Sequence, residues 1–79
     1  MNKTIIPLNG LPIGSFGKVV KLTSKKSDRR RMLDLGLIEG TIVESLRKSP
    51  AGDPIAYEIR GAVIALRSNE STKILVEII

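Results

Sequence analysis

The 79-residue sequence contains no cysteine and no histidine. It can therefore form no disulfide and no thiolate or imidazole metal site, and neither residue type can act in catalysis. The usual ligands of zinc, haem iron, iron–sulfur clusters and copper are missing as well. The two aromatic residues, Phe16 and Tyr57, are too few for a stacking platform on single-stranded nucleic acid or for a polyproline-binding groove.

Long hydrophobic runs are also absent. The longest uncharged apolar run spans residues 62–66, whereas a bilayer-spanning helix needs about 20 residues. Residues 1–6 lead directly into Pro7 without the apolar stretch of a signal peptide. We therefore expect a soluble, cytoplasmic protein with no membrane insertion, held at the membrane only through a partner. The length predicts one domain over residues 1–79.

The positive charge is concentrated in one segment. The chain has a net charge of +5, and residues 18–31 contribute seven basic side chains against Asp28 alone. The rest of the chain is close to neutral. Such a segment can serve solubility, can dock on an acidic partner or anionic surface, or can bind nucleic acid, which the lack of aromatic support makes the weakest of the three readings.

Alternating apolar residues predict five short strands. They are expected at residues 18–23, 41–48, 55–60, 62–67 and 74–78, after an irregular segment at 7–14. Short strands separated by glycine and proline turns are typical of a small barrel, SH3-like or OB-like, so the fold class is mainly β. The residues expected in the core, besides Tyr57, are Leu33, Leu37, Ile42, Leu46, Ile55, Ile59, Ile64, Leu66, Ile74 and Val76.

One short helix is predicted between the first and second strands. Residues 29–35 contain no glycine, proline or β-branched residue, and Ser24 or Ser27 could cap the N-terminus. Gly36 stands where a left-handed C-terminal cap is favoured. We assign a backbone role in turns to Gly36, Gly40, Gly52, Asp53, Pro54 and Gly61.

The basic residues at this helix form the candidate binding site. They lie before the helix or in its opening turns, where side chains can project outward while Met32 and Leu33 point inward. The hypothesis is that a partner binds Lys25, Lys26, Arg29, Arg30 and Arg31.

No catalytic motif is present. No histidine can act as a base for a serine nucleophile, and the carboxylates are scattered singly rather than paired for acid–base work. No acidic loop of the EF-hand type appears, and residues 14–18 lack the glycine spacing of a phosphate loop. We therefore expect a binding or regulatory module without a cofactor, and not an enzyme.

Taken in order, several short motifs resemble the FeoA family of ferrous iron transport. The first is the pair of spaced leucines before Gly17-Lys18-Val19, and the second is the arginine-rich helix that runs into Leu35-Gly36-Leu37 and Gly40. Further matches are Gly52-Asp53-Pro54-Ile55, Arg60-Gly61, Leu66-Arg67 and the closing pattern around Glu70, Ile74 and Val76. Glu39 stands where the family usually has proline, and Ser71 where it has alanine.

The resemblance implies a five-stranded SH3-like barrel with one short helix between strands 1 and 2. It also implies a small regulatory or adaptor protein that binds the FeoB ferrous iron transporter, at its cytoplasmic GTP-binding domain or its membrane-proximal face. Two alternatives stay open at this point. One is a basic barrel that binds nucleic acid, and the other is a free-standing relative of the C-terminal domain of iron-dependent repressors.

Overall fold

Six antiparallel strands and two helices make up residues 4–79, the part of the chain that the computed structural model describes. Residues 1–3 lie outside the described part of the chain. They belong to the segment 1–6, in which the sequence predicts no signal peptide. The elements in chain order are β1 (Ile5–Pro7), a 3-10 turn (Leu8–Gly10), β2 (Phe16–Leu22), α1 (Lys26–Asp34), β3 (Ile42–Lys48), β4 (Ile55–Ile59), β5 (Ala62–Leu66), α2 (Ser68–Ser71) and β6 (Ile74–Ile78).

The strands form a single sheet in the order β1-β6-β2-β3-β4-β5. The mainly β fold class is confirmed, with α1 between β2 and β3 as expected. The structure has one strand more than the five that the sequence predicts. That strand is β1, which is only three residues long, ends in Pro7 and pairs antiparallel with β6, with Ile5 opposite Glu77. Proline and glycine punctuation hides so short a strand from a periodicity argument.

The sheet curls around one hydrophobic core to which every strand from β2 to β6 contributes. Six predicted core residues are buried there, Tyr57 is buried with them, and Ile64 packs against the cluster as a half-buried side chain. The six are Leu37, Ile55, Ile59, Leu66, Ile74 and Val76.

Three core predictions are wrong. Ile42 is 46% exposed and Leu46 is only half-buried, because β3 presents Val43 and Ser45 to the core instead. The inward positions Val43 and Ser45 alternate regularly, and the register shift that marks a bulge follows them, between Ser45 and Arg47. The polar Ser45 at an inward position therefore hides this face from a hydrophobic pattern. Leu33 is 38% exposed, because it lies on the outer side of α1.

The helix α1 begins earlier than predicted and without a side-chain cap. It starts at Lys26, Lys25 occupies the N-cap position, and no side chain there accepts a backbone hydrogen bond. Neither Ser24 nor Ser27 therefore has the predicted capping role. After the last turn of α1, Gly36 has the expected left-handed backbone conformation, with a φ of +95°. The Gly36 N–H donates a hydrogen bond to the backbone oxygen of Leu33, and the Leu37 N–H donates one to that of Met32, both at 3.0 Å. This pair of bonds is the Schellman pattern.

Candidate partner-binding surface

The helix α1 has one side buried in the barrel and one side open to solvent. Met32 is 1% exposed and attaches the helix to the core. Lys26, Arg30 and Leu33 are four and then three residues apart, and residues at this spacing share a helix face. All three are exposed. The face opposite Met32 is therefore basic along its first two turns, and it ends at Leu33 and at the exposed Asp34, which follows Arg30 by four residues.

The structure divides the predicted basic cluster into bound and free side chains. Arg29 Nη1 donates a hydrogen bond to the backbone oxygen of Leu22 at 3.2 Å. Arg31 forms an ion pair with Glu70, which holds α1 against α2. These two arginines thus have partners within the barrel, and their charge is partly committed to the fold.

The other three predicted residues remain free of ion pairs within residues 4–79. Lys25, Lys26 and Arg30 are exposed, and none of them lies within salt-bridge distance of a carboxylate in that range. Asp28, the acidic residue in the first turn of α1, lies 3.7 Å from Lys73 Nζ. Lys73 offsets the charge of Asp28, so the outer side of α1 remains positive.

A shallow cavity of about 190 Å³ adjoins this face, between α1 and β2. Its lining includes the apolar residues Val20, Leu33 and Ile38 and three charged residues, the basic Lys21 and Arg29 and the acidic Glu39. The side chains of Leu33 and Ile38 are 38% and 43% exposed. We call Lys25, Lys26, Arg30, Leu33 and Ile38 together the basic–apolar surface.

Sequence reasoning located the charged half of this surface and missed the apolar half. Leu33 was assigned to the core and Ile38 was given no role. A signal was available, because Leu33 lies seven residues after Lys26 and therefore on the same helix face, whereas Met32 lies on the other side. Ile38 follows the turn at Gly36, and its position could not be obtained from helical spacing.

The residues assigned to turns lie in connections between elements. Gly36 and Gly40 flank the loop between α1 and β3, Gly52, Asp53 and Pro54 connect β3 to β4, and Gly61 lies between β4 and β5. Asp53 has a further contact, because its Oδ1 accepts hydrogen bonds from the backbone N–H and the hydroxyl of Ser68, each at 2.9 Å. This carboxylate therefore ties the β3–β4 loop to the first residue of α2.

Tyr57 belongs to the core and not to a site. Its hydroxyl donates a hydrogen bond to the backbone oxygen of Leu8 at 3.3 Å, and the side chain has no exposed surface. Burial raises the pKa of Tyr57 above its ordinary value of 10.0. The Asp53 carboxylate adds to the increase, while the Ser71 hydroxyl acts in the opposite direction. The hydroxyl thus stays protonated and acts as a structural donor.

Residues 4–79 contain neither a cluster of metal ligands nor a membrane-spanning helix. No three residues of the histidine, cysteine, aspartate and glutamate types lie together in a way that could hold a metal ion. No helix there is both long enough and apolar enough to cross a membrane.

The sequence comparison decides the family. The FeoA domain family matches residues 6–78, nearly the whole chain. The chain belongs to the FeoA family. This family takes part in ferrous iron transport, so the resemblance found in the sequence is confirmed.

Three relatives add detail. A fusion of Fe(2+) transport protein A with the Fe(2+) transporter FeoB, from Porphyromonas gingivalis, is 29% identical over 72 residues; the match covers 91% of this chain and 8% of the fusion protein. The NMR structure of a FeoA-like protein from Clostridium acetobutylicum is 39% identical, with a TM-score of 0.88 over 100% of this chain and 91% of that one. A zinc-complexed FeoA from Stenotrophomonas maltophilia is 26% identical, with a TM-score of 0.78 over 87% and 86% of the two chains.

These structures also settle the barrel type. The Stenotrophomonas maltophilia protein is described as an SH3 domain, so the SH3-like fold expected from the sequence is confirmed. A manganese-dependent transcriptional repressor has the same fold over 44% of its chain, with a TM-score of 0.86 and 18% identity. At that identity the likeness concerns the fold alone.

Proposed function

We propose that this protein is a non-catalytic adaptor of ferrous iron transport, which binds the cytoplasmic side of a FeoB-type transporter through its basic–apolar surface. The observation that carries the proposal is the fusion protein, in which a FeoA part and a FeoB part form one polypeptide. In that fusion the FeoA part is covalently held beside the transporter, which supports a role of this chain at the same place. The adaptor would accordingly be cytoplasmic and peripheral to the membrane.

The charge of the surface supports docking on an acidic partner. Lys25, Lys26 and Arg30 have no ion pair within residues 4–79, so a partner carboxylate could approach them without breaking an internal contact. Complementary charges of this kind accelerate association and orient the two proteins, although each exposed pair contributes only about 0.2–1 kcal/mol.

The apolar part of the surface would supply the remaining affinity. Leu33 and Ile38 are exposed beside a shallow cavity, where a partner side chain could be buried. Protein interfaces commonly place apolar residues at the centre and charged residues at the rim. In this surface the apolar residues adjoin the charged ones, with Lys26 and Arg30 along one side.

A pull-down with matched charge reversals tests this proposal. Lys26→Glu combined with Arg30→Glu should weaken binding to the detergent-solubilised transporter about tenfold, since two attractions become repulsions of similar size. Arg47→Glu combined with Lys48→Glu changes the net charge equally, at exposed positions in the far end of β3. Circular dichroism would confirm that both double variants are folded.

The two double variants separate the possible outcomes. Selective loss in the α1 variant supports the proposal. Equal loss in both would indicate a general effect of net charge, and no loss in either would return the basic segment to a role in solubility. A gel shift with random RNA addresses the nucleic-acid reading, because RNA retention that depends on Lys26 and Arg30 in the absence of transporter binding would replace the adaptor role.

A further inference from the structure

The two edges of the sheet differ in how well they are protected. The edge strand β1 has three residues and ends in Pro7, which has no backbone N–H. The other edge strand, β5, has five residues, all apolar, and within residues 4–79 it pairs only with β4. Soluble proteins usually blunt an edge with charge, proline or a bulge, because an open edge can pair with another strand. None of these devices is present in β5.

The register identifies which backbone groups of β5 are open. Arg60 and Gly61 both have positive φ, +51° and +85°, as in a type I′ hairpin turn, and Ile59 pairs with Ala62 directly beside it. Residues that flank such a two-residue turn exchange hydrogen bonds, and every second residue along the strand does the same. The N–H and C=O groups of the two residues in between therefore point away from β4. These residues are Val63 and Ala65.

The side chains leave this edge accessible. Val63 is 57% exposed, the most exposed large apolar residue within an element, and Ala65 is exposed beside it on the same face. No turn or loop backbone hydrogen bond within residues 4–79 involves either residue. The open edge thus offers two donors and two acceptors, flanked by an apolar outer face.

An arginine stands at each end of this open edge. Arg60 precedes β5 and is exposed, with the aliphatic part of its side chain beside Gly36. Arg67 follows β5 with a side chain that is 68% exposed. The carboxylate nearest to Arg67 is Asp53, at 3.9 Å, which is a loose contact. The edge is therefore apolar in the middle and cationic at both ends.

This charge pattern distinguishes between two possible occupants. A second copy added antiparallel and centred on Ile64 would place Arg67 of each chain beside Arg60 and Gly61 of the other. Like charges would then oppose each other at both ends of the interface, which disfavours pairing. A segment with carboxylates at both ends would instead meet an arginine at each end.

We infer that β5 accepts an extended segment of a partner protein as a seventh strand, and that this segment has β-branched or small apolar residues at its centre and carboxylates at both ends. Strand addition of this kind takes affinity from backbone hydrogen bonds and specificity from side chains at alternate positions. The inference goes beyond the adaptor function and is independent of the basic–apolar surface, because β5 contributes none of that surface's residues.

The probe is the acetylated peptide amide Asp-Glu-Val-Thr-Val-Thr-Val-Glu-Asp, and its control has lysine at the four acidic positions. With the ¹⁵N-labelled full chain, the acidic peptide should slow amide hydrogen exchange at Val63 and Ala65 at least tenfold. The lysine peptide should bind at least tenfold more weakly. Failure of the acidic peptide to bind at about 1 mM, or protection elsewhere but not at these two amides, would overturn the inference.

Two substitutions at one position test the backbone contact. Val63→Pro removes an N–H that points away from β4, a position in which an edge strand tolerates proline. This substitution should weaken binding of the acidic peptide at least tenfold. Val63→Thr retains the N–H and the β-branched shape and should bind within threefold of the parent chain. If Val63→Pro fails to fold, the exchange data on the parent chain decide. Sedimentation that reveals a dimer whose contacts protect Val63 would overturn the inference in favour of a second copy.

Discussion

Tyr57 in β4 connects the centre of the sheet to the beginning of the chain, which is far away in sequence. Its hydroxyl bonds to the oxygen of Leu8 across 49 positions of sequence, in a fully buried environment. Tyr57→Phe retains the ring and removes the donor, which leaves a buried carbonyl without this partner. A net hydrogen bond contributes about 0.5–1.5 kcal/mol, and at 3.3 Å this one is long, so we expect a loss of about 1 kcal/mol in urea unfolding.

The same hydroxyl predicts a dependence of stability on pH. Because burial raises the pKa of Tyr57 in the folded state, the unfolded chain loses this proton at a lower pH than the native protein does. The stabilisation is therefore fully present below pH 10 and is lost as the pH rises through the native pKa. Between the pKa of Tyr57 in the unfolded chain and its pKa in the native protein, the free energy of unfolding should fall by up to about 1.4 kcal/mol per pH unit from this group alone.

The sequence makes this measurement unusually direct. Tyr57 is the only tyrosine and tryptophan is absent, so the tyrosinate absorbance band reports one group. The Tyr57→Phe variant contains the same lysines as the parent chain, and the difference between the two pH profiles isolates the tyrosine. Parallel profiles above pH 10, or a native tyrosine that ionises with the pKa of the unfolded chain, would refute the assignment of Tyr57 as a buried donor.

Two further predictions concern the helix and the core. Gly36→Ala should destabilise the fold by at least about 1–2 kcal/mol, since φ is +95° and the new Cβ would lie 2.5 Å from Arg60 Cδ. Combination with Arg60→Ala should restore part of the lost stability in a double-mutant cycle. Strict additivity of the two changes would exclude the steric contact. Ile59→Ala should cost about 2–5 kcal/mol and Leu33→Ala less than about 1 kcal/mol, whereas equal losses in thermal unfolding would contradict the surface position of Leu33.

The strands could be predicted from the sequence wherever the sheet is regular. Along β4, Ile55, Tyr57 and Ile59 all face the core, as their alternation indicates, because the extra residue of the β3–β4 ladder lies in β3 and β4 itself is continuous. In β2 a shift between Val19 and Lys21 allows both Val19 and Leu22 to be buried, three positions apart. A bulge has no fixed residue signature, so period-two reasoning cannot locate it.

The candidate surface could be predicted only in part, for a related reason. Charge density along the chain indicates the basic segment, but the division of its arginines depends on contacts between distant residues. Arg31 is neutralised by Glu70, which lies in α2, and Arg29 donates a hydrogen bond to a backbone oxygen at the end of β2. Sequence spacing contains no information about either contact.

The first turn of α1 would favour a partner carboxylate beside Lys26 and Arg30. Positive side chains near a helix N-terminus oppose its dipole, and here the N-cap residue Lys25 supplies no side-chain acceptor for the first-turn N–H groups. Internal contacts offset part of this cost for Arg29 and Arg31, but no internal carboxylate within residues 4–79 does so for Lys26 and Arg30. A partner carboxylate at this turn would neutralise the lysines and interact favourably with the helix dipole. Docking at the basic–apolar surface should therefore stabilise α1 as well as join the two proteins.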